Sequence, residues 1–348
     1  MVKQPVLSVG GGSANIAFPT SDSSYGQRWL LGSVSDDPYD VRTSVVVDRR
    51  PGQLAYVSTE LRSLEEGGMA SRGYVVAEGE RARGVNEAGL AITWAFVRER
   101  EGRASGFTSG EWSMLALSSA RSVSHALELL SECGPRNFSG AYFLADAEGG
   151  FAQVEIGRDS FEVLGTEHTV AAAGAVNVNC YQSPDMRPFE YPSGGLDDDD
   201  APNRARHMAA TESLAHLPDD AGPMELAQLL SDHRGIERTA LTDEWVFRSQ
   251  GYSICNHGRF DAEGSGRVEP GFGTVSAEIL DPGRRTMWYC YGWTCGSEPA
   301  SESQALQENS WGKFVAFALD DLPDGQMTTL RGSITPLAVR HVDFRRTI

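Results

Sequence analysis

The stretch Val9-Gly10-Gly11-Gly12-Ser13-Ala14-Asn15-Ile16-Ala17-Phe18 is the part of the sequence from which we infer the fold. Three glycines precede one hydroxyl residue, and an alternating apolar run follows it. The alternation predicts a β-strand that holds Ser13 rigidly at its start. Because glycine has no Cβ, the peptide bond before Ser13 can be approached closely. Gly-Gly-Gly-Ser is also typical of a flexible linker, so this stretch alone does not establish that Ser13 begins a strand, and the rest of the chain must decide.

Cleavage between Gly12 and Ser13 would give one residue two chemical groups, a hydroxyl nucleophile and a free α-amine. An α-amine has an ordinary pKa of about 7.7–8, so it can act as a base near neutral pH. Such an amine can activate the nucleophile of its own residue. We therefore treat residues 1–12 as a leader and Ser13 as a candidate catalytic residue.

Composition limits the classes of protein that this chain can belong to. Its 348 residues are 40% hydrophobic and 22% charged, which predicts a sizeable core and argues against general disorder. Nothing marks a domain boundary, so we predict a single domain over 13–348. The net charge of -18 argues against a nucleic-acid partner and against an anionic membrane surface.

Localisation and redox state follow from what the sequence lacks. No apolar run reaches transmembrane length, and residues 1–7 are too short and polar for a secretory signal, so a cytoplasmic location is expected. The spacing of the five cysteines matches no zinc pattern, and we predict reduced, mostly buried thiols, with neither metal nor organic cofactor. They are Cys133, Cys180, Cys255, Cys290 and Cys295.

Alternating apolar segments predict a largely antiparallel β-structure. Asn86 to Gly89 reads as a tight turn with a left-handed glycine. Predicted strands cover 28–32, 44–47, 54–57, 90–94, 140–146, 151–156, 161–164, 253–257, 273–280 and 286–291. Predicted helices cover 118–132, 203–217 and 223–232, and residues 302–321 are expected to be partly helical. Residues 33–38 are expected to form an acidic loop, in which Asp36 and Asp37 could orient an amine or simply form an Asp-Asp-Pro turn.

Several of these segments, in this order, resemble the choloylglycine hydrolase and penicillin acyltransferase group of N-terminal-nucleophile (Ntn) hydrolases. The closer resemblance is to the branch of isopenicillin N acyltransferase-like proteins. The matching blocks are Gly84-Val85-Asn86-Glu87-Ala88-Gly89-Leu90-Ala91, the helix 118–132, Tyr142-Phe143-Leu144-Ala145-Asp146, Asn177-Val178-Asn179-Cys180-Tyr181, Ser253-Ile254-Cys255-Asn256-His257 and Gly273-Thr274-Val275-Ser276-Ala277-Glu278-Ile279.

The resemblance implies an α+β fold, a four-layer αββα sandwich of two antiparallel sheets between helices. It places the nucleophile at the start of a central strand and implies self-cleavage to expose it. The group normally uses Cys as the nucleophile. Ser13 is therefore either a natural serine nucleophile, which needs stronger base help than a thiol, or a substituted cysteine.

The resemblance also implies roles for individual residues. Asp36 matches the acidic residue that holds the new α-amine, and Asn179 matches the Asn that bonds the scissile or substrate carbonyl. Arg204 matches an Arg that steadies the nucleophile, and Arg206 is close enough to be the counterpart instead.

This sequence departs from the family pattern in two places. The family loop reads Gly-Arg-Asn-x-Asp, whereas residues 32–36 lack its Arg and Asn, and Arg42 is the predicted replacement for the guanidinium. Residues 93–96 fill the region where the family often has an oxyanion Asn, so a backbone N–H is the alternative donor. Trp94, Phe96 and Tyr181 are the aromatic residues predicted to line an acyl pocket, although strand aromatics are often core residues.

The sequence therefore predicts an amide-bond hydrolase or acyltransferase that works through an acyl-enzyme on residue 13. Its expected partner is a small-molecule amide, such as an N-acyl amine or a peptide-like metabolite of secondary metabolism, and a homo-oligomer is left open. The alternative is a non-catalytic Ntn-fold scaffold that has lost the nucleophile. His233 and His257 are expected to be structural. A phosphate cradle at the glycine run is disfavoured, because Gly-Lys-Ser/Thr and a following helix are missing.

Overall fold

A computed structural model describes most of the chain after residue 12. The described residues are 13–22, 26–38, 41–63, 81–100, 106–134, 136–170, 174–191, 196–197, 202–233, 253–256, 272–295, 314–322, 327–328 and 340–342. Within them the strands, in chain order, are β1 (Ser13–Asp22), β2 (Gly26–Pro38), β3 (Val41–Asp48), β4 (Tyr56–Ser63), β5 (Arg81–Asn86), β6 (Ala91–Phe96), β7 (Gly140–Ala145), β8 (Phe151–Ile156), β9 (Phe161–Thr166), β10 (Ala175–Val178), β11 (Phe272–Asp281), β12 (Thr286–Tyr291), β13 (Phe314–Ala318), β14 (Met327–Thr328) and β15 (Arg340–Val342).

The strands form two antiparallel sheets. The first sheet has the order β10-β1-β2-β11-β12-β13-β15, and the second has the order β14-β3-β4-β5-β6-β7-β8-β9. Strand β1 pairs along its whole length with β2, starting at Ser13 opposite Ser35, and its other edge pairs with β10. The prediction of a strand that begins at Ser13 is confirmed, and this strand is internal to its sheet.

Helices cover the outer face of each sheet. They are α1 (Ser109–Ser119), α2 (Val123–Glu132), α3 (Pro202–Leu214) and α4 (Pro223–Leu230). One apolar cluster joins the second sheet to α1 and α2, and another joins the first sheet to α3 and α4. A third lies between the sheets, where residues such as Leu31, Val57 and Phe143 meet. The layers are therefore helix, sheet, sheet and helix, and the predicted αββα sandwich is confirmed.

Local sequence signals explain the helix boundaries on the second sheet. A capping box in which Thr108 and Glu111 each bond the other's backbone N–H begins α1. The hydroxyl of Ser122 accepts from the backbone of His125 and begins α2. The single helix predicted over 118–132 is thus wrong at its start, because Ala120 is extended and the Ser122 cap begins a new helix.

Three other predictions of secondary structure are corrected by the structure. The expected acidic loop at 33–38 is the end of β2, because β11 pairs with that segment through a register shift between Thr274 and Ser276. Residues 253–256 form no strand, and residue 257 lies outside the described residues. In the stretch 302–321, which was predicted to be partly helical, residues 314–318 form β13, which pairs with β12, and Leu319–Asp321 form a short 3-10 helix; residues 302–313 lie outside the described residues. The predicted turn at Gly89 is confirmed, since its φ is +86°.

No helix in the described part of the chain is both long enough and apolar enough to cross a membrane.

Candidate active site

Ser13 lies at the buried start of β1, with only 5% of its surface exposed. Its backbone N–H donates to Oδ1 of Asn179 at 2.5 Å. Its hydroxyl oxygen lies 3.4 Å from Nη2 of Arg83, which donates to it. The two atoms that an N-terminal nucleophile uses, the nitrogen and the side-chain oxygen, are therefore each held by a different polar side chain.

Asn179 directly follows β10, the strand that pairs with β1, and this pairing brings it to Ser13. Its Nδ2 atom donates to the carbonyl oxygen of Phe96 at 2.8 Å. The backbone carbonyl oxygen of Asn179 accepts from Nδ2 of Asn203 at 3.2 Å. Because one bond holds the side-chain Nδ2 and the other holds the backbone, the Oδ1 atom has a fixed direction toward the Ser13 nitrogen.

Arg206 projects from α3 and connects the two halves of the site. Its Nη2 atom donates to Oδ1 of Asn179 at 2.9 Å and to Oδ1 of Asn203 at 2.6 Å. Its Nη1 atom lies 3.6 Å from Oδ2 of Asp36, and both side chains are almost fully buried. The guanidinium therefore joins the carboxylate of β2 to the amide that touches Ser13.

Arg204, the first sequence-based choice for this role, lies elsewhere. Its Nη1 atom donates to the carbonyl oxygen of Leu196 at 2.7 Å. Arg204 and Arg206 are two residues apart on one helix, so their side chains point about 200° apart around the helix axis. Arg206, the alternative candidate for the arginine that steadies the nucleophile, is the residue that contacts Asn179.

Asp36 is held by side chains from two other segments. The Oγ1 atom of Thr274 on β11 donates to its Oδ1 at 2.7 Å, and Nδ2 of Asn256 donates to its Oδ2 at 3.2 Å. Burial raises the pKa of Asp36 to about 7, although Arg206 and these two hydrogen bonds favour the charged form. Its connection to Ser13 passes through Arg206 and Asn179.

Arg83 on β5 is a site residue that the sequence analysis did not identify. Besides the contact with Ser13, its Nη2 atom donates to the carbonyl oxygen of Trp94 at 2.9 Å. Its Nε atom lies 3.8 Å from Oε2 of Glu278 on β11, and both groups are buried. Burial raises the pKa of Glu278, and the charge of Arg83 opposes that shift. A buried arginine of the second sheet therefore reaches a carboxylate and a hydroxyl of the first sheet.

A sequence signal for Arg83 existed but was weak. It immediately precedes the Gly84 block that carries the family resemblance, and it lies in a short strand where an arginine facing the core is uncommon. At the position where the family loop has its arginine, this chain has Ser33, whose hydroxyl donates to Asn15 at 2.7 Å. The guanidinium next to Ser13 in this chain therefore comes from the opposite sheet.

The aromatic residues predicted to line an acyl pocket lie in cores. The ring of Trp94 packs between the second sheet and α1, near Tyr142, and Phe96 packs against the same cluster. The two residues reach the site through their carbonyl oxygens, which accept from Arg83 and Asn179. Residues two positions apart on a strand lie on the same face of the sheet, so the rings of Trp94 and Phe96 both point away from Ser13.

Tyr181 and Arg42 are the remaining predicted site residues. Tyr181 is 1% exposed, and its hydroxyl lies 3.1 Å from Oε1 of Glu99 and 2.9 Å from the carbonyl oxygen of Ile156. Burial raises the pKa of this hydroxyl. The backbone of Arg42 lies in β3 opposite Arg62, and its side chain lies outside the described residues.

The arrangement can support acyl transfer at Ser13. It supplies a hydroxyl, a nitrogen fixed by an acceptor, two buried cations and two buried carboxylates. The two cations and the two carboxylates come from four separate elements, so only the folded sandwich brings them to Ser13 and Asn179. They are Arg83 on β5, Arg206 on α3, Asp36 on β2 and Glu278 on β11.

Comparison with solved structures defines the class of this fold. A variant of conjugated bile acid hydrolase from Clostridium perfringens superposes with a TM-score of 0.53 at 13% identity, covering 94% of this chain and 99% of that one. Penicillin V acylase from Agrobacterium tumefaciens gives a TM-score of 0.44 at 15% identity, covering 80% and 82%. A Caenorhabditis elegans orthologue of N-acylethanolamine-hydrolyzing acid amidase gives 0.37 at 12% identity, covering 78% and 93%. The likeness to the bile acid hydrolase, together with the two antiparallel sheets between helices, shows that the fold is that of the Ntn hydrolases.

The sequence itself assigns the family. Residues 42–257 match the model of the acyl-coenzyme A:6-aminopenicillanic acid acyl-transferase family, and this match spans more than half of the chain. The chain belongs to that family, and it is therefore an Ntn-type enzyme of the amide hydrolase and acyltransferase kind. No curated protein sequence shows significant similarity to it.

Proposed function

We propose that this protein cleaves itself between Gly12 and Ser13, and that the exposed Ser13 then hydrolyses or transfers the acyl group of a small amide. The observation that carries the proposal is the pair of contacts at Ser13, from its nitrogen to Asn179 and from its hydroxyl to Arg83. A buried strand start with both atoms held in this way suits a residue whose nitrogen and oxygen act together.

The proposed self-cleavage is an N-to-O acyl shift. The Ser13 oxygen attacks the carbonyl carbon of Gly12, the C–N bond breaks, and the Ser13 nitrogen takes up the hydroxyl proton to become an amine. Water then hydrolyses the resulting ester and releases the leader as a carboxylate. The Arg83 guanidinium lies close enough to favour negative charge on the attacking oxygen.

The mature reaction would use the same atoms. The free α-amine takes the hydroxyl proton as Ser13 attacks the substrate amide, and it returns the proton to the leaving amine. Oδ1 of Asn179 accepts a hydrogen bond from this amine and fixes its direction. The positive charges of Arg206 and Arg83 favour the neutral amine over the ammonium form, so a base is present at neutral pH. Water or a second amine accepts the acyl group.

The substrate class follows from the family and not from a described pocket. We propose N-acyl amines or peptide-like metabolites, including those of secondary metabolism, because the family description and the names of the structural neighbours all refer to acylated small amines or acids. No metal takes part in the steps above.

Intact mass spectrometry and N-terminal sequencing of the purified full chain test the proposal. We expect a product that begins at Ser13, and we expect Ser13→Ala to leave the chain at full length. Ser35→Ala is the matched control, because Ser35 lies directly opposite Ser13 and is equally buried. Incubation of the cleaved protein with a panel of amides should then yield an acyl adduct on the Ser13 peptide.

The same measurements distinguish the non-catalytic alternative. A chain that keeps its full mass after long incubation, and gains no cleavage in Ser13→Cys, would support an Ntn-fold scaffold and would overturn the proposal. Cleavage in Ser13→Cys alone would instead identify Ser13 as a substituted cysteine, because a thiol needs less base assistance.

A further inference from the structure

A cluster of three metal-binding side chains lies close to the Asp36 side of the site. The ligand atoms of His233, Cys255 and Cys295 all lie within 4.8 Å of one another. The thiol of Cys255 is also hydrogen-bonded with that of Cys295. Among the described residues this is the one group of three or more such side chains, and the sequence spacing gave no sign of it.

We propose that His233, Cys255 and Cys295 bind a zinc-class divalent cation through two thiolates and one imidazole. This donor set is one that zinc prefers, and three protein ligands leave the fourth tetrahedral position for water or another group. Tetrahedral bonds of about 2.0–2.3 Å place ligand atoms roughly 3.3–3.8 Å apart, so small side-chain shifts would close the cluster. Binding releases two thiol protons, and the two thiolates balance the charge of the cation.

The backbone holds the three ligands in place without the ion. His233 follows α4, Cys255 lies in the segment 253–256, and Cys295 follows β12. The backbone N–H of Cys255 donates to the carbonyl oxygen of Asp232 at 3.2 Å, beside His233. The hydroxyl of Thr294, beside Cys295, donates to the carbonyl oxygen of Leu230 in α4 at 2.6 Å. The ligand positions are thus fixed by hydrogen bonds between neighbouring residues, which favours binding by a preformed site.

The three ligands differ in how far they are buried, and the difference suits a site that an ion can enter from solvent. Cys255 is fully buried against Val275 and Trp293, whereas His233 and Cys295 are partly exposed. The inner ligand is therefore shielded from solvent, and the outer two leave a route by which an ion can enter.

The ion would act on the candidate active site through one neighbour. Asn256 follows Cys255 and donates to Asp36, and its backbone N–H donates to Oγ1 of Thr274, the other partner of Asp36. A cation on Cys255 would hold this segment against Asp36. Asn256 is then a positioning residue. The metal site stands on its own geometry and does not depend on the proposed chemistry at Ser13.

Cobalt substitution tests the site on the full chain, purified with reductant and treated with a chelator. We expect one Co²⁺ per chain, with a thiolate-to-cobalt charge-transfer band and the visible absorption of a tetrahedral site, and we expect Zn²⁺ to displace it. Cys295→Ser and His233→Ala change partly exposed ligands, and each should weaken binding by more than the roughly 10–100-fold typical of losing an outer-shell partner. Cys133→Ser, at the end of α2, is the matched control and should bind like the parent protein.

Three outcomes would overturn the proposal. One is the absence of a charge-transfer band in reduced protein whose thiols are all titratable. Another is a band that survives in Cys295→Ser and Cys255→Ser alike. The third is protein that binds no metal when reduced but forms a Cys255–Cys295 disulfide in air, detected by peptide mapping. Melting of the parent protein with and without Zn²⁺ gives a second readout, since a cation that binds only the folded state raises Tm.

Discussion

Oδ1 of Asn179 accepts two hydrogen bonds, one from the backbone nitrogen of Ser13 at 2.5 Å and one from Nη2 of Arg206 at 2.9 Å. The amide oxygen is polarised by a buried guanidinium on one side while it holds the Ser13 nitrogen on the other. Any change in the position or charge of Arg206 is therefore transmitted to Ser13 through a single atom.

Arg206→Lys should slow self-cleavage and destabilise the fold, whereas Arg204→Lys should do neither. A lysine is shorter and lacks the planar fork whose two nitrogens reach Asn179 and Asn203 on one side and Asp36 on the other, so buried acceptors lose partners at a cost of about 1–3 kcal/mol. Time courses of leader release and urea unfolding measure the two effects. Equal behaviour of the two variants would contradict the role given to Arg206.

Arg83→Lys should lower the rate of leader release by about 10–100-fold, because the attacking Ser13 oxygen loses its hydrogen bond from a charged donor, a contact that contributes about 1.5–3 kcal/mol. The variant keeps a positive charge near Glu278 but loses the fork that also reaches Ser13 and Trp94. Arg42→Gln is the comparison, because Arg42 was the sequence-based choice for this guanidinium. A slow Arg42→Gln beside a normal Arg83→Lys would reverse the assignment.

Ionisation of Asp36 should appear in the pH dependence of leader release. Burial raises its pKa to about 7, and the Arg206 contact needs the carboxylate, so the rate should rise as the pH passes through about 7. Asp36→Asn should be slow at every pH and should lack this rise. Asp220→Asn, which changes an exposed carboxylate, should keep the parent profile.

The raised pKa of Asp36 also makes the stability of the folded protein depend on pH. The folded protein holds the Asp36 proton more tightly than the unfolded chain does, since the pKa rises from 3.8 to about 7. Relative to acidic pH, stability is therefore lost as the pH rises through this range. As the pH is raised from 5 to 8, the urea midpoint of unfolding should fall less for Asp36→Asn than for the parent protein. A parallel fall in both proteins would show that other buried carboxyl groups dominate, namely Glu155 on β8 and Glu278, whose pKa values are also raised by burial.

Gly89→Ala should destabilise the protein more than Gly52→Ala. Both glycines have left-handed φ angles, +86° and +79°, so each variant should lose about 1–2 kcal/mol from backbone strain. A Cβ on Gly89 would lie 2.5 Å from Cβ of Ala147 and 2.8 Å from the carbonyl oxygen of Pro282, whereas one on Gly52 meets nothing within 4 Å. The clash adds roughly 1–3 kcal/mol. Urea unfolding of the two variants measures the difference.

The layered αββα arrangement was implied by the family resemblance, whereas the sequence by itself determined the antiparallel strands, the start of β1 at Ser13 and the turn at Gly89. These features depend on alternation, glycine and nearest neighbours, which act over a few residues. Ser13 was also predicted, from the glycine run and the strand that follows it. Asp36 and Asn179 were assigned roles by the family resemblance, and only Asn179 lies within one of the blocks that carry it.

Only the tertiary structure decided which guanidinium meets Ser13, which arginine of α3 faces Asn179, and that His233, Cys255 and Cys295 lie together. Arg83 reaches Ser13 from the opposite sheet, 70 residues away in the chain. The placement of Trp94 and Phe96 in a core depended in the same way on which face of β6 meets the other sheet. Contacts between distant segments are fixed by sheet pairing and layer packing, and no local pattern encodes which two side chains these bring together.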